Sequence, residues 1–492
     1  MPVNTKHASV TDALPTWQRC RDVIAGQDAI HSPARRVIYL PMFKGEDDVA
    51  YAARVARSEF FNATYRTIEG MVGMLFRKNP AVKVSARAEG MLADVTQAGR
   101  SLIDLTKDVG REALGVGRSG LLVDYPKAST EGMTVQQAEK SGLRPKMALY
   151  KAENIINWQT GWHAGRTLLT LLVLEESVAV PRADDRFVTE TVTQWRVLEL
   201  VDTTAGGKAV QITLYRAKDG GTPEVFEEPI FPLRASKLLD EIPFTFIGAD
   251  NTQPEVQLPP LIDLVHMNVS HYQSTSDAEQ GAYKTAIPQP YVTGVENRTN
   301  PTTGEPAGKP LTFYMGGGNV WTLPKDATVG MLEFQGTGLA AIEARIDRKE
   351  KQMAVLGARM LEQQKAAAET AETAGIHRSG EQSALATVAD TVGEAIGRAL
   401  AWFDLWAGGT GDVEFSINKD FLPTKLTAPE LTALLQQWQG GGMSDKEHFD
   451  ALQRGGWISD AQDFETHDAE VRESAPATMP APVPAPAAAV EA

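Results

Sequence analysis

The first part of the chain carries apolar residues at helical spacing. Positions three and four apart form one stripe after an acidic start near residue 46, which predicts a single long helix that Pro80 prevents from continuing. Two further helices are predicted near residues 86–98 and 101–116, before an apolar strand at Leu121–Val123. The stripe consists of Val49, Ala53, Ala56, Phe60, Thr64, Ile68, Met71 and Leu75.

The middle of the chain has the two-residue alternation of strands. Alternation is clearest from Thr191 to Val197, and turn residues such as those at 205–208 separate the runs. Trp158 and Trp162 are expected to flank a turn and to pack into the core. Candidate strands are Met147–Tyr150, Leu168–Glu175, Thr189–Leu200, Val210–Arg216 and Phe244–Ile247. Helices followed by antiparallel strands predict an α+β domain.

Two long helices flank an insert rich in proline and glycine. The first opens at the prolines 259–260 and runs to about Lys284, with an apolar face that includes Asn268. The second, at residues 338–362, keeps an alternating three- and four-residue apolar spacing that only Lys349 interrupts. At ~1.5 Å per residue, this second helix would span roughly 37 Å.

The C-terminal part begins with a polar, alanine-rich segment and continues as helix. The helix runs from Leu385 to Trp406, and its Glu394 and Arg398 are placed for an i,i+4 ion pair worth about 0.2–0.5 kcal/mol. The remaining elements are a strand at 413–417, helices at 428–439 and 444–454, and a Pro/Ala-rich tail from Ser474. Such a tail cannot bury enough apolar surface to fold, so disorder is predicted for it.

Composition limits the classes of protein that fit the chain. A chain of 492 residues is too long to fold around one hydrophobic core, and its length fits two or three domains. The longest apolar run, Leu168–Leu174, is too short to cross a bilayer, the N-terminus lacks the layout of a signal peptide, and no membrane partner is expected. The single cysteine, Cys20, excludes an intrachain disulfide framework and is expected to be a small, partly buried hydrophobe in a reducing compartment.

The net charge of −15 disfavours stable, static binding to nucleic acid. A surface past which DNA slides remains compatible with it, because repulsion reduces sticking. Solubility alone would also account for the charge, and composition does not separate these interpretations.

The sequence contains no motif of a known catalytic site. It has neither a phosphate-binding Gly-x-x-x-x-Gly-Lys-Ser/Thr loop nor a Gly-x-Ser-x-Gly elbow. The glycines at 115–120 lie between a helix and a strand, the reverse of the order that directs amides at phosphate, so they predict a helix end and a turn. His266 and His271 lie five positions apart on one predicted helix, so their side chains point in different directions, unlike a pair of metal ligands. Asp277 and Glu279 lie two positions apart on the same helix and also diverge, which makes them a poor general acid–base pair. We therefore expect no catalytic residue, cofactor or metal ion, and no enzyme.

A basic cluster lies on the second long helix of this otherwise acidic chain. It consists of Arg345, Arg348, Lys349 and Lys351. These side chains could line a surface that meets DNA phosphates. Alternatively, they form a solvated helix face paired with Glu343, Asp347 and Glu350.

The segment from Tyr51 to Pro80 resembles a branch of tailed-bacteriophage portal proteins. That branch opens with a helix carrying Phe-Asn-x-Thr-x-x-Thr-x-x-Gly and ending in Phe-Arg-Lys-x-Pro, matched here by Phe61–Gly70 and Phe76–Pro80. Further matches are Gly120–Pro126, Ala152–Trp158, Pro260–Leu264, His271–Tyr272 and Ser276–Asp277. The resemblance spans roughly residues 46–410 in the expected order.

The resemblance implies a portal-like α+β fold and assigns a part of the portal to each stretch of the chain. The parts are a mixed wing domain at 1–257, a first stem helix at 258–285, a small α/β clip insertion at 286–333, a second stem helix at 334–362, a tunnel loop at 363–382, a helical channel element with a wing return strand at 383–426, a crown at 427–473 and a disordered tail at 474–492. An ordinary globular enzyme would not need the helix–clip–helix block.

A portal of this family is a non-enzymatic ring, usually of about twelve subunits, at one capsid vertex. The resemblance implies a virion protein, assembled in the host cytoplasm, that conducts double-stranded DNA during packaging and ejection. The implied partners are further copies of the chain, the DNA, the terminase motor, the major capsid or scaffolding protein and head–tail adaptor proteins. Arg348 and Lys349 would form a basic belt in an acidic channel. The tunnel-loop residues expected to contact the duplex are Gln363, Gln364, Lys365, His377 and Arg378.

Two other functions remain open at this stage. The chain could be a different head–tail connector or minor head protein, although connectors generally lack a helix–clip–helix block such as that of residues 258–362. It could also be a hydrolase or transferase without a recognisable motif. That alternative predicts turnover by a monomer or small oligomer.

Overall fold

Most residues of the chain are described by a computed structural model. They are 2–125, 143–285, 289–294, 321–332, 337–359, 383–421, 428–454, 457–458 and 462–474, with short gaps at 164, 183, 186, 204–206, 218–221, 235–236, 322, 324 and 420. The predicted tunnel loop, most of the predicted clip and nearly all of the predicted tail lie outside them. Two compact units make up the chain, namely Met1–Val72 with Ala81–Ser416, and Gly73–Pro80 with Ile417–Ala492.

Helices form most of the N-terminal stretch. They are α1 (Ala8–Ala25), α2 (Gln27–His31), α3 (Arg36–Tyr39), α4 (Asp48–Arg57), α5 (Ala63–Leu75), α6 (Ala86–Glu89) and α7 (Leu102–Gly115). Arg21 on α1 donates to Glu112 of α7 over 2.6 Å and to Glu153 over 2.9 Å. Burial opposes ionisation of Glu153, but the hydrogen bonds from Arg21 hold its pKa below the ordinary value. The guanidinium thus ties α1 to α7 and to the edge of the sheets.

Two antiparallel sheets follow, built from β2 to β8 and β11. Their strands are β2 (Arg118–Asp124), β3 (Lys146–Lys151), β4 (Ile155–His163), β5 (Arg166–Pro181), β6 (Thr189–Asp202), β7 (Lys208–Ala217), β8 (Pro223–Ile230) and β11 (Phe244–Gly248), with the short pair β9 (Leu233–Arg234) and β10 (Lys237–Leu238) between β8 and β11. The orders are β11–β2–β3 and β4–β5–β6–β7–β8. The predicted strands are confirmed, and the chain is of the mixed helix and sheet class.

The helices and sheets share one apolar core. Trp17, Cys20 and Val23 of α1 are completely buried, and Leu122 of β2, 1% exposed, belongs to the same apolar cluster. Cys20 is therefore more buried than predicted, and burial raises the pKa of its thiol to about 11. At Gly120 a Cβ atom would lie 2.1 Å from Cζ of the Phe244 ring, so only glycine lets this aromatic side chain cross the strand.

The single helix predicted from residue 46 onward is wrong. The chain leaves the helix after α4 and re-enters it at α5, because polar side chains in residues 58–62 bond to backbone groups. The hydroxyl of Ser58 donates to Arg54 O over 2.8 Å at the end of α4. Asn62 Oδ1 accepts from Tyr65 N over 3.0 Å, which caps the start of α5. The helix predicted at 86–98 is also shorter, since α6 ends at Glu89 and a 3-10 turn follows at Leu92–Asp94.

The turn predicted between Trp158 and Trp162 is wrong, because both residues belong to strand β4. Trp158 is buried, stacking on His7 with ring centroids 4.3 Å apart, and the guanidinium of Arg118 lies 4.4 Å from its ring. Trp162 is 75% exposed, so it is no core residue. A register shift between Gln159 and Thr160 separates the two halves of β4, which accounts for their different surroundings.

The predicted helix end at the glycines 115–120 is confirmed. Helix α7 ends at Gly115 and strand β2 begins at Arg118. Gly117 between them has φ +74°, a conformation that side chains with a Cβ rarely adopt, and it lies against the backbone of Leu258 and Pro259.

The long helices predicted after residue 258 are present. They are α8 (Ile262–Thr285), α9 (Thr337–Arg359) and α10 (Ala384–Ala407). Between α8 and α9, the described residues contain an antiparallel strand pair, β12 (Gln289–Thr293) and β13 (Thr328–Leu332). After α10, β14 (Glu414–Ser416) pairs with β1 (Ala81–Lys83). The assignment of these elements to a stem, a clip and a return strand stays a prediction.

The second unit contributes three helices among its described residues. They are α11 (Ala428–Gln439), α12 (Asp445–Arg454) and α13 (Phe464–Ser474). Trp438 stacks on His448 at 4.5 Å, and Phe449 meets Phe464 edge to face at 5.6 Å. At the start of α12, Ser444 and Glu447 form a reciprocal capping box. None of the helices in the described part of the chain is both long and apolar enough to cross a membrane.

Asn62→Ala should lower the free energy of unfolding by about 1–2 kcal/mol, because it removes the cap of α5 and the 3.0 Å bond from Nδ2 to Ile24 O. Asp47→Ala is the matched control. It removes only the 2.7 Å cap at Ala50 N of α4, and should cost about 1 kcal/mol or less. Urea unfolding measures both. An Asn62→Ala loss no larger than that of Asp47→Ala would show that the bond to Ile24 adds nothing.

Candidate functional site: the paired helices α8 and α9

Helices α8 and α9 pack against each other in antiparallel directions. His271 contacts Glu350 through Nε2 and Oε1 at 3.2 Å, while further along α8 the backbone at Gly281 meets Leu339. Position numbers therefore rise on one helix as they fall on the other. A Cβ at Gly281 would lie 2.9 Å from Leu339 Cδ2, so glycine here permits close packing of the pair.

Much of the buried surface of α8 is polar. Five of its buried residues carry hydroxyl, amide or imidazole groups, namely Asn268, His271, Tyr272, Ser274 and Ser276. In water-excluded surroundings such groups cost free energy unless each finds a hydrogen-bond partner. The partners of α8 therefore define what it must pack against.

Asn268 holds the start of helix α5 against α8. Its Oδ1 accepts from the amide and the hydroxyl of Thr64, over 3.1 Å and 3.0 Å. Its Nδ2 donates to Phe61 O over 2.8 Å. About two turns further on, the hydroxyls of Ser276 and Ser58 are 2.7 Å apart. Both ends of the break between α4 and α5 are thus bonded to α8.

Lys349 of α9 is buried against α8. Its Nζ donates to Ser270 O over 2.6 Å, to Ser270 Oγ over 2.8 Å and to Ser274 Oγ over 2.7 Å. Burial lowers the pKa of Lys349, and the positive charge of nearby Arg345 lowers it further. The prediction that Lys349 belongs to a surface facing DNA is therefore corrected, since its ammonium group is used within the helix pair and is only 7% exposed.

The rest of the basic cluster is exposed. Arg345, Arg348 and Lys351 point away from α8. Within the described part of the chain, none of them forms an ion pair with Glu343, Asp347 or Glu350, so the predicted pairing along the helix face does not occur. Contact of these three residues with DNA stays a prediction. The tunnel-loop candidates Gln363, Gln364, Lys365, His377 and Arg378 lie outside the described residues.

The histidines of α8 point to different neighbours, as their spacing predicts. His266 lies 3.0 Å from Nη1 of Arg19, whereas His271 is buried beside Phe61 and meets Glu350. In the regions that the structure describes, no three His, Cys, Asp or Glu side chains are grouped so that they could hold a metal ion.

A polar cleft of about 490 Å³ lies elsewhere in the first unit, beside α10. Glu241 in its wall accepts from Trp402 Nε1 over 2.7 Å and pairs with Arg166 at 3.2 Å. Arg398 donates to Glu394 over 2.9 Å, which confirms the predicted i,i+4 pair. The described lining contains no histidine, cysteine, serine or lysine.

Sequence reasoning missed the role of Lys349 and of its acceptors Ser270 and Ser274. One signal was present, since Lys349 occupies an apolar position in the stripe of α9. A lone lysine at such a position has to reach solvent or find buried acceptors. Serines spaced by four on the facing helix supply them.

Comparisons with known proteins give a family match and several structural similarities. Residues 260–407, from α8 to α10, match a family model described as a domain of unknown function, DUF4055. No curated protein is significantly similar to the chain.

The chain is also similar to solved structures of gene transfer agent (GTA) particles. One is described as the virion of a native GTA particle, with 15% identity over 83% of this chain and 94% of that chain, and a TM-score of 0.37. Another is the neck of a native GTA particle computed with C12 symmetry, with 14% identity over 80% and 89%, and a TM-score of 0.37. A third is the neck of an empty GTA particle computed with C6 symmetry, with 14% identity over 84% and 94%, and a TM-score of 0.35.

Lys349→Ala should lower the free energy of unfolding by about 2–3 kcal/mol, because the change leaves a cavity and removes the donor for three acceptors on α8. Lys351→Ala, two residues away on the exposed face, should change it by about 0.5 kcal/mol or less. Chemical denaturation of both variants measures the difference. Equal effects would contradict a structural role for the buried ammonium group.

Proposed function

We propose that this chain is a subunit of a phage portal ring, the channel through which DNA enters and leaves a capsid. The observation that carries the proposal is the pair of long antiparallel helices joined through an insert that contains the strand pair β12–β13. The portal motifs of residues 51–80 and of α8 lie next to each other in this arrangement, since Asn268 bonds to Thr64. In the proposal α8 and α9 are the stem, and the insert is the clip.

The polar bonds of α8 suit such a role. A subunit wall that bears packaged DNA needs helices that keep one register under load, and directional hydrogen bonds fix register more strictly than apolar contacts do. Lys349 supplies three such bonds, and Asn268 supplies three more. The ring conducts DNA without chemistry of its own, and the terminase motor supplies the energy. Capsid or scaffolding proteins and head–tail adaptors complete the proposed partners.

The alternative from the same class is a head–tail connector or minor head protein. It too would be a structural virion component without chemistry. The helix–insert–helix block favours the portal, because a connector has no need of it. A hydrolase or transferase is supported by none of the described residues that line the cleft beside α10.

Purified protein should form rings of about twelve subunits with a central hole. Light scattering gives the mass, and electron-microscope class averages viewed end-on give the symmetry. Protein co-produced with its capsid proteins is the second sample, because assembly partners nucleate rings. A closed small oligomer without a hole in both samples would contradict the portal and favour the connector.

A further inference from the structure

The charged side chains of α9 divide by sign around the helix axis. At roughly 100° per residue, three basic residues fall on one side of the face that packs on α8, and three acidic residues fall on the other. The basic flank consists of Arg345, Arg348 and Lys351, and the acidic flank of Glu343, Asp347 and Glu350. All six side chains are exposed.

The two flanks are not neutralised within the described chain. Of the six side chains, Glu350 has a described partner, because its Oε1 lies 3.2 Å from Nε2 of His271. Instead, like charges recur three and four positions apart along each flank, as in Arg345, Arg348 and Lys351. Like charges at these spacings destabilise an isolated helix, and among the six residues only Asp347 and Lys351 place opposite charges four positions apart. The arrangement therefore costs stability in the lone subunit unless another surface supplies the opposite charge.

The exposed side of α9 also carries short and apolar side chains. Ala340 and Ala344 lie one turn apart there, and Val355 is 50% exposed. Short side chains allow a second helix to come close enough for the long charged side chains on either edge to meet their counterparts.

We infer that the basic flank of α9 in one copy of this chain pairs with the acidic flank of α9 in the next copy. The inference rests on the proposed ring and names the contact that builds it. Because the two flanks are different surfaces, each copy offers one to each neighbour, a head-to-tail contact that closes into a ring when the rotation allows.

DNA is the competing occupant of the basic flank, and the charges favour a second copy. A DNA-binding surface gains from positive charge alone, whereas the acidic flank of α9 places three carboxylates, as many as the basic flank has cations, where phosphates would be repelled. The chain as a whole has a net charge of −15, which adds to that repulsion. Only a partner with both signs in the same spacing satisfies both flanks, and the chain itself has that pattern.

The test reverses each flank and then both together. Arg348→Glu with Lys351→Glu reverses the basic flank, and Glu343→Lys with Asp347→Lys reverses the acidic flank. Each double variant should raise the protein concentration at half assembly by at least about tenfold at low salt. The quadruple variant restores opposite charges across the contact and should assemble within about threefold of the wild type. Light scattering and native mass spectrometry measure assembly.

Lys44→Glu with Lys151→Glu is the matched control, since it changes the net charge by the same amount at exposed positions off α9. It should assemble like the wild type. Thermal unfolding followed by circular dichroism shows whether each variant folds.

Each contrary result has a separate meaning. Double variants that form rings as the wild type does would overturn the flank contact and leave the portal proposal standing. A quadruple variant as defective as the doubles would exclude charge pairing as the basis of the contact. A basic-flank variant that assembles normally but retains less DNA would assign the flank to DNA. A wild type without rings in either sample would overturn both proposals.

Discussion

A positive charge buried between two helices determines how the centre of this protein fits together. Removing an ammonium group from water costs several kcal/mol, and the cost is offset only where its donors find acceptors. Lys349 finds three, on Ser270 and Ser274. A shift of α9 by one residue would turn Lys349 by roughly 100° and carry it away from both serines. The pair therefore has one favourable register, whereas two purely apolar surfaces would tolerate several.

The same logic extends from α8 to the N-terminal helices. Asn268 and Ser276 bond to the start of α5 and the end of α4, so the break between those helices is held open from the opposite side. Arg57 strengthens this contact, because it donates to Gln280 over 2.9 Å and lies 4.0 Å from the ring of Tyr283. Helix α8 is thus the element through which N-terminal helices and α9 are joined.

The sequence was sufficient where the apolar period alone decides the structure. The pattern of apolar residues predicted the strands β2, β3, β5, β6 and β7 and the helices α8 to α10. It did not predict β4. It was insufficient where a polar side chain competes with the helix. Phe60 and Thr64 continue the helical spacing, yet Ser58 and Asn62 direct the chain out of the helix through bonds to backbone groups. The prediction that Trp162 packs into the core was wrong for another reason, since one register shift within β4 separates it from Trp158.

The candidate site, too, was only partly predictable from the sequence. The stripe of α9 places Lys349 at an apolar position, but the pattern did not reveal which acceptors satisfy its ammonium group. That outcome depends on serines almost eighty residues earlier, and spacing within one helix carries no information about a partner helix. The pairing of Arg398 with Glu394 was predictable because both residues lie on one helix.

The burial of Cys20 makes this protein a ready object for site-directed labelling. The chain has one thiol, it is completely enclosed by the core, and its raised pKa leaves almost no thiolate at neutral pH. Maleimide dyes and nitroxide spin labels would therefore not react with the native protein. A cysteine introduced at any exposed position would be the single reactive one, so a distance between neighbouring copies could be measured without first removing a native residue.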